Sequence, residues 1–322
     1  MNNAIPYLPD DVCSQICELS FDFSVHEIYL ALLNGCVLCP ARSIDLFNPT
    51  HFISKHSITV WIAVPSMARV ALKNGISIDG KLNNIRVSIF NGEALTSRLA
   101  MDWHCQAPYT EIWNTYGPTE CTVAVTAQRW NSDKSLIDAE IISIGKSFPD
   151  CITALLVNEK IVATSEVQDD CIGELLLSTP QQFHGYTNQK LNSPFISDNN
   201  GTKYYKTGDL ALIRSGKLFH RGRIDTQVKI KGHRIELLEI EHRIRTFYEN
   251  EAIAVIANPQ KQPSEIVLFT ENGFVNSPID FTNLGLPNYM IPNRIISLKS
   301  LPQNQHGKLD RIALQKLAES SN

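Results

Sequence analysis

Near Trp113 the order of structural signals along this chain changes character, and that change limits its fold more than any single residue does. Upstream, apolar runs rich in β-branched residues alternate with stretches of helical period. Residues 58–64 (ITVWIAV) read as a buried strand ending at Pro65, and 86–90 as another. Residues 21–33 carry Val25, Ile28, Tyr29, Leu32 and Leu33 at helical spacing and stop at Asn34-Gly35, while 96–104 predict a further helix. Such alternation calls for a parallel sheet with helices on its faces. Downstream, 122–127, 152–157, 172–177, 210–213 and 218–220 follow one another through tight turns such as Asn158-Glu159-Lys160, which is the pattern of antiparallel pairing.

After Arg223 the pattern changes again. Gln227-Val228-Lys229-Ile230-Lys231 alternates as a strand and Gly232-His233 predicts a turn. A helix is expected from Glu236, with Leu237, Ile240, Ile244 and Phe247 on one face. Strands at 252–257 and 265–270 and a last helix from Asp310 complete an α+β unit of about a hundred residues, an ordinary small domain. The expected organisation is an α/β chain with a body at 1–223 and a small C-terminal domain at 224–322.

Composition narrows the function classes. With 43% apolar residues in 322, the chain can bury a sizeable core, which excludes disorder, and no run reaches the 18 apolar residues of a membrane span. Lys and Arg number 29 against 33 Asp and Glu, without like-charge blocks, so no footprint for nucleic acid is present. The start, MNNAIPYLPDD, lacks a basic segment followed by an apolar one, and the cytosol is the expected location. Cys36 and Cys39 have C-x-x-C spacing but no second pair to complete a zinc site. They and the other six cysteines read as small apolar thiols.

Four stretches carry chemistry. Asn114-Thr115-Tyr116-Gly117-Pro118-Thr119-Glu120 lies between strands, and its Gly-Pro loop can gather a hydroxyl, an aromatic face and a carboxylate at a strand end. Tyr205-Lys206-Thr207-Gly208-Asp209 begins a hairpin, where a carboxylate beside glycine can accept hydrogen bonds from a ribose diol. Gly222-Arg223-Ile224-Asp225 marks the domain boundary. Gly307-Lys308-Leu309-Asp310-Arg311 precedes the last helix. Each has a plain alternative: a Gly-Pro turn, a Gly-Asp turn, a surface ion pair and a helix cap.

Taken in order, NTYGPTE, YKTGDLA, GRIDTQVKIKGHRIELLEIE and HGKLDR, with GELLLSTP and a later GY between the first two, resemble the adenylate-forming superfamily, which activates carboxylates with ATP. The resemblance runs over essentially the whole chain. It implies a partial large domain of mixed α/β sheets plus an antiparallel β region, followed by a small mobile α+β domain. It also implies that Tyr116 stacks on adenine, Asn114 hydrogen-bonds the base edge, Thr119 meets the α-phosphate and Glu120 ligates Mg2+, with Thr115, Gly117 and Pro118 completing the nucleotide loop. Asp209 would hold the ribose hydroxyls with Arg223. Lys308 would bridge carboxylate and α-phosphate in the transition state. A hinge matching Asp225 would bring the strand around Gly232 in for the second half-reaction, attack by a carrier thiol.

Asp22 matches the aspartate with which amino-acid-activating members pair the substrate ammonium, and a helix cap is its alternative role. His26, Ile89, Asn91, Thr115, Val123 and Ala124 fall where such enzymes line the side-chain pocket. Within the superfamily, NTYGPTECTVAVT, ICELSFDFSVHEIYLALLNG and NYMIPNRI look most like the D-alanine–D-alanyl carrier protein ligases, with nonribosomal adenylation enzymes a close second. Asn91 stands where those ligases usually place a cysteine, and an amide there would admit or prefer a polar side chain. The implied partners are an amino acid and a phosphopantetheinylated carrier protein in trans.

The Ser/Thr/Gly-rich phosphate loop that the superfamily places before the aspartate segment is absent between Met1 and Asp22. Three expectations stay open on that point. A second chain supplies the N-terminal part and completes a split enzyme; the chain is a truncated product with little or no adenylation activity; or it is a binding module that retains nucleotide or carrier-protein docking without turnover.

Overall fold

The apolar runs of the first third form the buried centre of a seven-stranded sheet. The computed structural model describes residues 4–73, 82–188, 194–224, 227–230, 232–248, 252–257, 264–271, 281–303 and 309–321. The chain divides into two units, Met1–Ile224 and Asp225–Asn322.

In the first unit β1 (Val12–Gln15), α1 (Phe23–Leu33), β2 (Val37–Pro40), α2 (Pro49–Lys55), β3 (Val60–Ala63), α3 (Pro65–Lys73), β4 (Val87–Phe90), α4 (Ser97–Gln106), β5 (Glu111–Tyr116) and β6 (Thr126–Arg129) follow in turn. After a short ladder of β7 (Ile137–Asp138) and β8 (Ile141–Ile142), β9 (Lys146–Ser147) completes the sheet, whose order is β2-β1-β3-β4-β5-β6-β9. Pairing is parallel from β2 to β5 and antiparallel from β5 to β9. β3 and β4 are buried along their whole length, as central strands covered on both faces must be. Behind them Trp61 stacks on Trp103 with ring centroids 6.3 Å apart, and the Trp103 indole N–H donates to Ser88 Oγ at 2.8 Å, so the large ring is buried without an orphan donor. Thr96 caps α4 by accepting from the Leu99 N–H.

An antiparallel sheet follows, built from β10 (Ile152–Val157), β11 (Lys160–Ala163), β12 (Ile172–Ser178), β13 (Phe195–Ser197), β14 (Lys203–Arg214) and β15 (Lys217–Arg223). Its order is β11-β10-β12-β14-β13, with β15 on β14. Asn158 and Glu159 both take positive φ in the two-residue hairpin between β10 and β11, the geometry that matches strand twist.

The second unit has a hairpin of β16 (Gln227–Ile230) and β17 (His233–Glu236), then α5 (Leu237–Tyr248) and a sheet of β18 (Ala252–Ala257), β19 (Glu265–Glu271) and β20 (Arg294–Leu298). The last helix, α6 (Arg311–Ser320), is capped by Asp310, which accepts from the Ala313 N–H. The buried Glu241 carboxylate takes both Arg311 Nη atoms, at 2.7 and 2.8 Å, and the Ala254 N–H at 2.9 Å, tying α5, β18 and α6 together.

Three sequence expectations need correction. The strand expected at 122–127 starts only at Thr126, because Thr122 and Val123 take left-handed φ in a turn described below. The turn expected at Gly232-His233 falls before His233, which opens β17 opposite Ile230, and Glu236 closes that strand opposite Gln227, so the helix begins at Leu237. The apolar stripe that predicts α1 is not its buried face. Val25, Tyr29, Leu32 and Leu33 are exposed, whereas Phe23, Ser24, His26, Glu27 and Ala31 are buried. The side chain responsible is Glu27. It accepts from the Ile16 and Cys17 N–H groups and from Gln15 Nε2, docking that face of α1 onto the end of β1. β2 is the outer strand on this side, and its Val37 is exposed. Among the described residues no helix is long and apolar enough to cross a membrane, and the eight cysteines are free thiols.

Candidate functional site

Tyr116 ends β5 in the interior, and its hydroxyl donates to Asp209 Oδ2. Asp209 lies opposite Arg223 in the β14–β15 ladder, so the hairpin register delivers a carboxylate and a guanidinium to one point. Arg223 Nη1 donates to Asp209 Oδ1 at 2.7 Å and to the Thr207 carbonyl at 3.0 Å. His220 Nε2 lies 3.4 Å from the same Oδ1, with its ring 6.1 Å from that of Tyr116. Burial, and then the Asp209 charge, push the Tyr116 phenol well above its ordinary value, so it remains a donor. Asp209 is itself buried, with Oδ2 turned to Tyr116 and Oδ1 to Arg223 and His220. Thr207 stiffens the corner by accepting from the Asp209 N–H and donating to the Leu175 carbonyl.

The loop after β5 is closed at its neck by Val125 N–H donating to the Tyr116 carbonyl at 2.7 Å. Gly117 sits in that neck. A Cβ there would lie 2.8 Å from both Ala124 Cα and the Val123 carbonyl oxygen, so only glycine lets the two sides approach. Thr119 is exposed, and Glu120 follows it. The Glu120 carboxylate accepts from the Tyr186 hydroxyl at 2.6 Å, and its carbonyl from the Phe183 N–H at 3.0 Å. Thr115 Oγ1 donates to the Phe90 carbonyl. Asn114 Nδ2 donates to the carbonyls of Ile142 and Ser143, so its amide nitrogen braces the β8–β9 connection and what it can offer a base is its oxygen.

A second group gathers where α1, β4 and this loop meet. Phe23, Ile89, Val123 and Ala124 belong to one buried apolar cluster. Asp22 stands before the first turn of α1 and makes no side-chain cap hydrogen bond. His26 is buried beside Phe23, with Nε2 3.1 Å from the Tyr7 hydroxyl and Nδ1 without a partner. Burial pushes its imidazole down to about 3, so it is neutral. Asn91 is buried with both ends of its amide engaged, Nδ2 to the Val123 carbonyl and Oδ1 to the Gly92 N–H.

The structure thus brings Tyr116, Asp209 and Arg223 together, sets Glu120 on the adjoining loop and gathers the α1–β4–loop group. Lys308 and Asp225 lie outside the described residues. Sequence reasoning gives no role to His220, Thr207 or Tyr186. Thr207 lies within the stretch 205–209 and Tyr186 ends the GY dipeptide, while His220 has no signal of its own.

Three comparisons bear on this geometry. The family model described as AMP-binding enzyme matches residues 1–187. Among curated proteins, D-alanine–D-alanyl carrier protein ligase of Bacillus anthracis is 32% identical over 313 residues, covering 91% of this chain and 60% of the relative. Among solved structures, the Vibrio cholerae adenylation domain AlmE in complex with glycyl-adenosine-5'-phosphate is 31% identical with a TM-score of 0.86, covering 98% of this chain and 60% of that one. A holo NRPS protein containing adenylation and PCP domains, bound to a vinylsulfonamide inhibitor, is 25% identical with a TM-score of 0.79, over 96% of this chain and 54% of that one. The chain spans about 60% of the length of the curated relatives it matches.

Proposed function

Since residues 1–187, more than half of its 322, match that family model, the chain belongs to the AMP-binding enzyme family, and from this premise we propose that it activates an amino acid with ATP and passes the aminoacyl group to a carrier protein. In the first half-reaction the substrate carboxylate attacks the α-phosphorus of ATP, pyrophosphate leaves and aminoacyl-AMP forms. In the second, a phosphopantetheine thiolate of a carrier protein acting in trans attacks the acyl carbon and AMP leaves. The observation that carries this reading is the convergence of Tyr116, Asp209 and Arg223. An aromatic face, a carboxylate able to accept from a ribose diol and a cation that fixes that carboxylate fit the nucleoside half of an adenylate.

The loop supplies the phosphate side. Thr119 is free to donate to an α-phosphate oxygen, and Asn114 Oδ1 can accept from the adenine amino group. Mg2+ binds through one or two carboxylates completed by substrate phosphates, so a single carboxylate beside the phosphate position suits it and Glu120 would hold it. The ion, when bound, neutralises charge on the phosphate oxygens. Asp22, with no cap to make, pairs the substrate ammonium next to the Phe23–Ile89–Val123–Ala124 cluster, while His26 bounds the side-chain space. AlmE, bound to a glycyl adenylate, supports a small amino acid.

In this reading the unit Met1–Ile224 is the nucleotide-binding body and Asp225–Asn322 the mobile domain, acting in the cytosol, with Asp225 as hinge and Lys308 as the catalytic cation. ATP–pyrophosphate exchange with glycine, both alanine enantiomers, serine and asparagine tests it. Exchange with one small amino acid is expected. Absence of exchange with all of them, together with no AMP binding by calorimetry, would overturn it.

A further inference from the structure

Thr122 and Val123 adopt φ of 57° and 69°, the left-handed region that β-branched residues rarely enter. Two such residues in succession persist only where their surroundings over-determine them. Here three restraints act on them. Thr122 Oγ1 donates to the Gln181 carbonyl at 2.8 Å, Gly117 admits the Val123 carbonyl and Ala124 at close range, and Asn91 Nδ2 donates to the Val123 carbonyl at 3.0 Å. Asn91 is the side chain that reaches the strained pair from outside the loop by way of β4. Its own orientation is fixed by the Gly92 N–H, which donates to Oδ1 at 2.7 Å.

We propose that Asn91 is a positioning residue that holds the Thr122–Val123 turn in its left-handed form and thereby presets loop 117–124, which carries Thr119 and Glu120. This rests on the nucleotide-binding reading of the loop for its functional consequence. Each end of the amide holds a backbone group, so its orientation is set by the fold and not by a substrate side chain. Asn91 acts on the substrate through the loop.

The test uses Asn91→Ala, Asn91→Asp, Val123→Gly and the Asn91→Ala/Val123→Gly double variant in the full chain. Two quantities are read, hydrogen exchange of the amides of 117–125 by mass spectrometry and AMP affinity by calorimetry. Asn91→Ala should speed exchange in that segment about tenfold, the effect of one lost buried hydrogen bond, and weaken AMP by a similar factor, with exchange in β18 and β19 unchanged. Aspartate is isosteric but has no donor for the carbonyl when ionised, and should match alanine. Glycine adopts positive φ without strain, so in the Val123→Gly background removing the amide should change both quantities less than about twofold. Unchanged loop exchange in Asn91→Ala, an equal loss in the Val and Gly backgrounds, or a re-ranking of amino acids in the exchange panel with the loop unaltered would overturn the proposal. If the unsubstituted chain binds no AMP, the nucleotide reading fails, and the hydrogen-exchange comparison still decides the role of Asn91.

Discussion

The buried carboxylate of Glu27 gives a stability signal that can be worked out with its sign. Three donors surround it, the Ile16 and Cys17 N–H groups and Gln15 Nε2, and each favours the ionised form. Burial opposes them and is the larger influence, so the carboxyl is pushed up to about 7 from an ordinary 4.5. Below pH 4.5 the group is protonated in folded and unfolded chains alike, and its contribution is fully present. As pH rises from there the unfolded chain ionises while the folded one resists, and stability falls by about 1.4 kcal/mol per pH until the folded group ionises near 7. The loss attributable to Glu27 across that window is about 3 kcal/mol. Other groups titrate over the same range, so the assay is a difference: urea unfolding of the native chain and of Glu27→Gln between pH 4.5 and 8. The native chain should lose about 3 kcal/mol relative to the variant as pH rises. A difference independent of pH would mean that the three donors match burial, and one that grows in favour of the native chain that they outweigh it; either would refute the reasoning.

Two further predictions concern the loop. Gly117→Ala places a methyl carbon against backbone atoms that no side-chain rotation can move aside, and should cost about 1–3 kcal/mol in unfolding free energy along with nucleotide affinity. Unchanged melting would show that the neck relaxes. Tyr186→Phe removes the hydroxyl that orients the Glu120 carboxylate, so the Mg2+ concentration giving half-maximal tightening of ATP binding should rise about tenfold, while AMP binding measured without Mg2+ stays the same.

How much was legible in the sequence depended on whether the deciding interaction was local. α1 could be placed because Asn34-Gly35 stops it, and α6 because Asp310 caps it, both within a few residues. The buried face of α1 could not be read, since it is chosen by Glu27 capturing backbone groups ten and eleven residues away. The run Thr122-Val123-Ala124-Val125 has strong β propensity, and the structure overrides it through Gly117, Gln181 and Asn91. Asp209 and Arg223 were each equivocal as single residues, and the hairpin register is what pairs them. His220 carries no local signature and the GY dipeptide marks Tyr186 without giving its role, because the meaning of both lies in the carboxylates they meet across the fold.

The measurement that bears most directly on the central claim is calorimetric titration of AMP, and of a non-hydrolysable glycyl-adenylate analogue, into the native chain and into Asp209→Asn. The neutral, isosteric amide keeps the shape of the Tyr116–Arg223 corner while halving its acceptors. The account predicts saturable binding of both ligands by the native chain, and an affinity lower by about tenfold or more in the variant, measured at a temperature where both proteins are folded. Equal affinity in the two proteins, or no binding by the native chain, would contradict it.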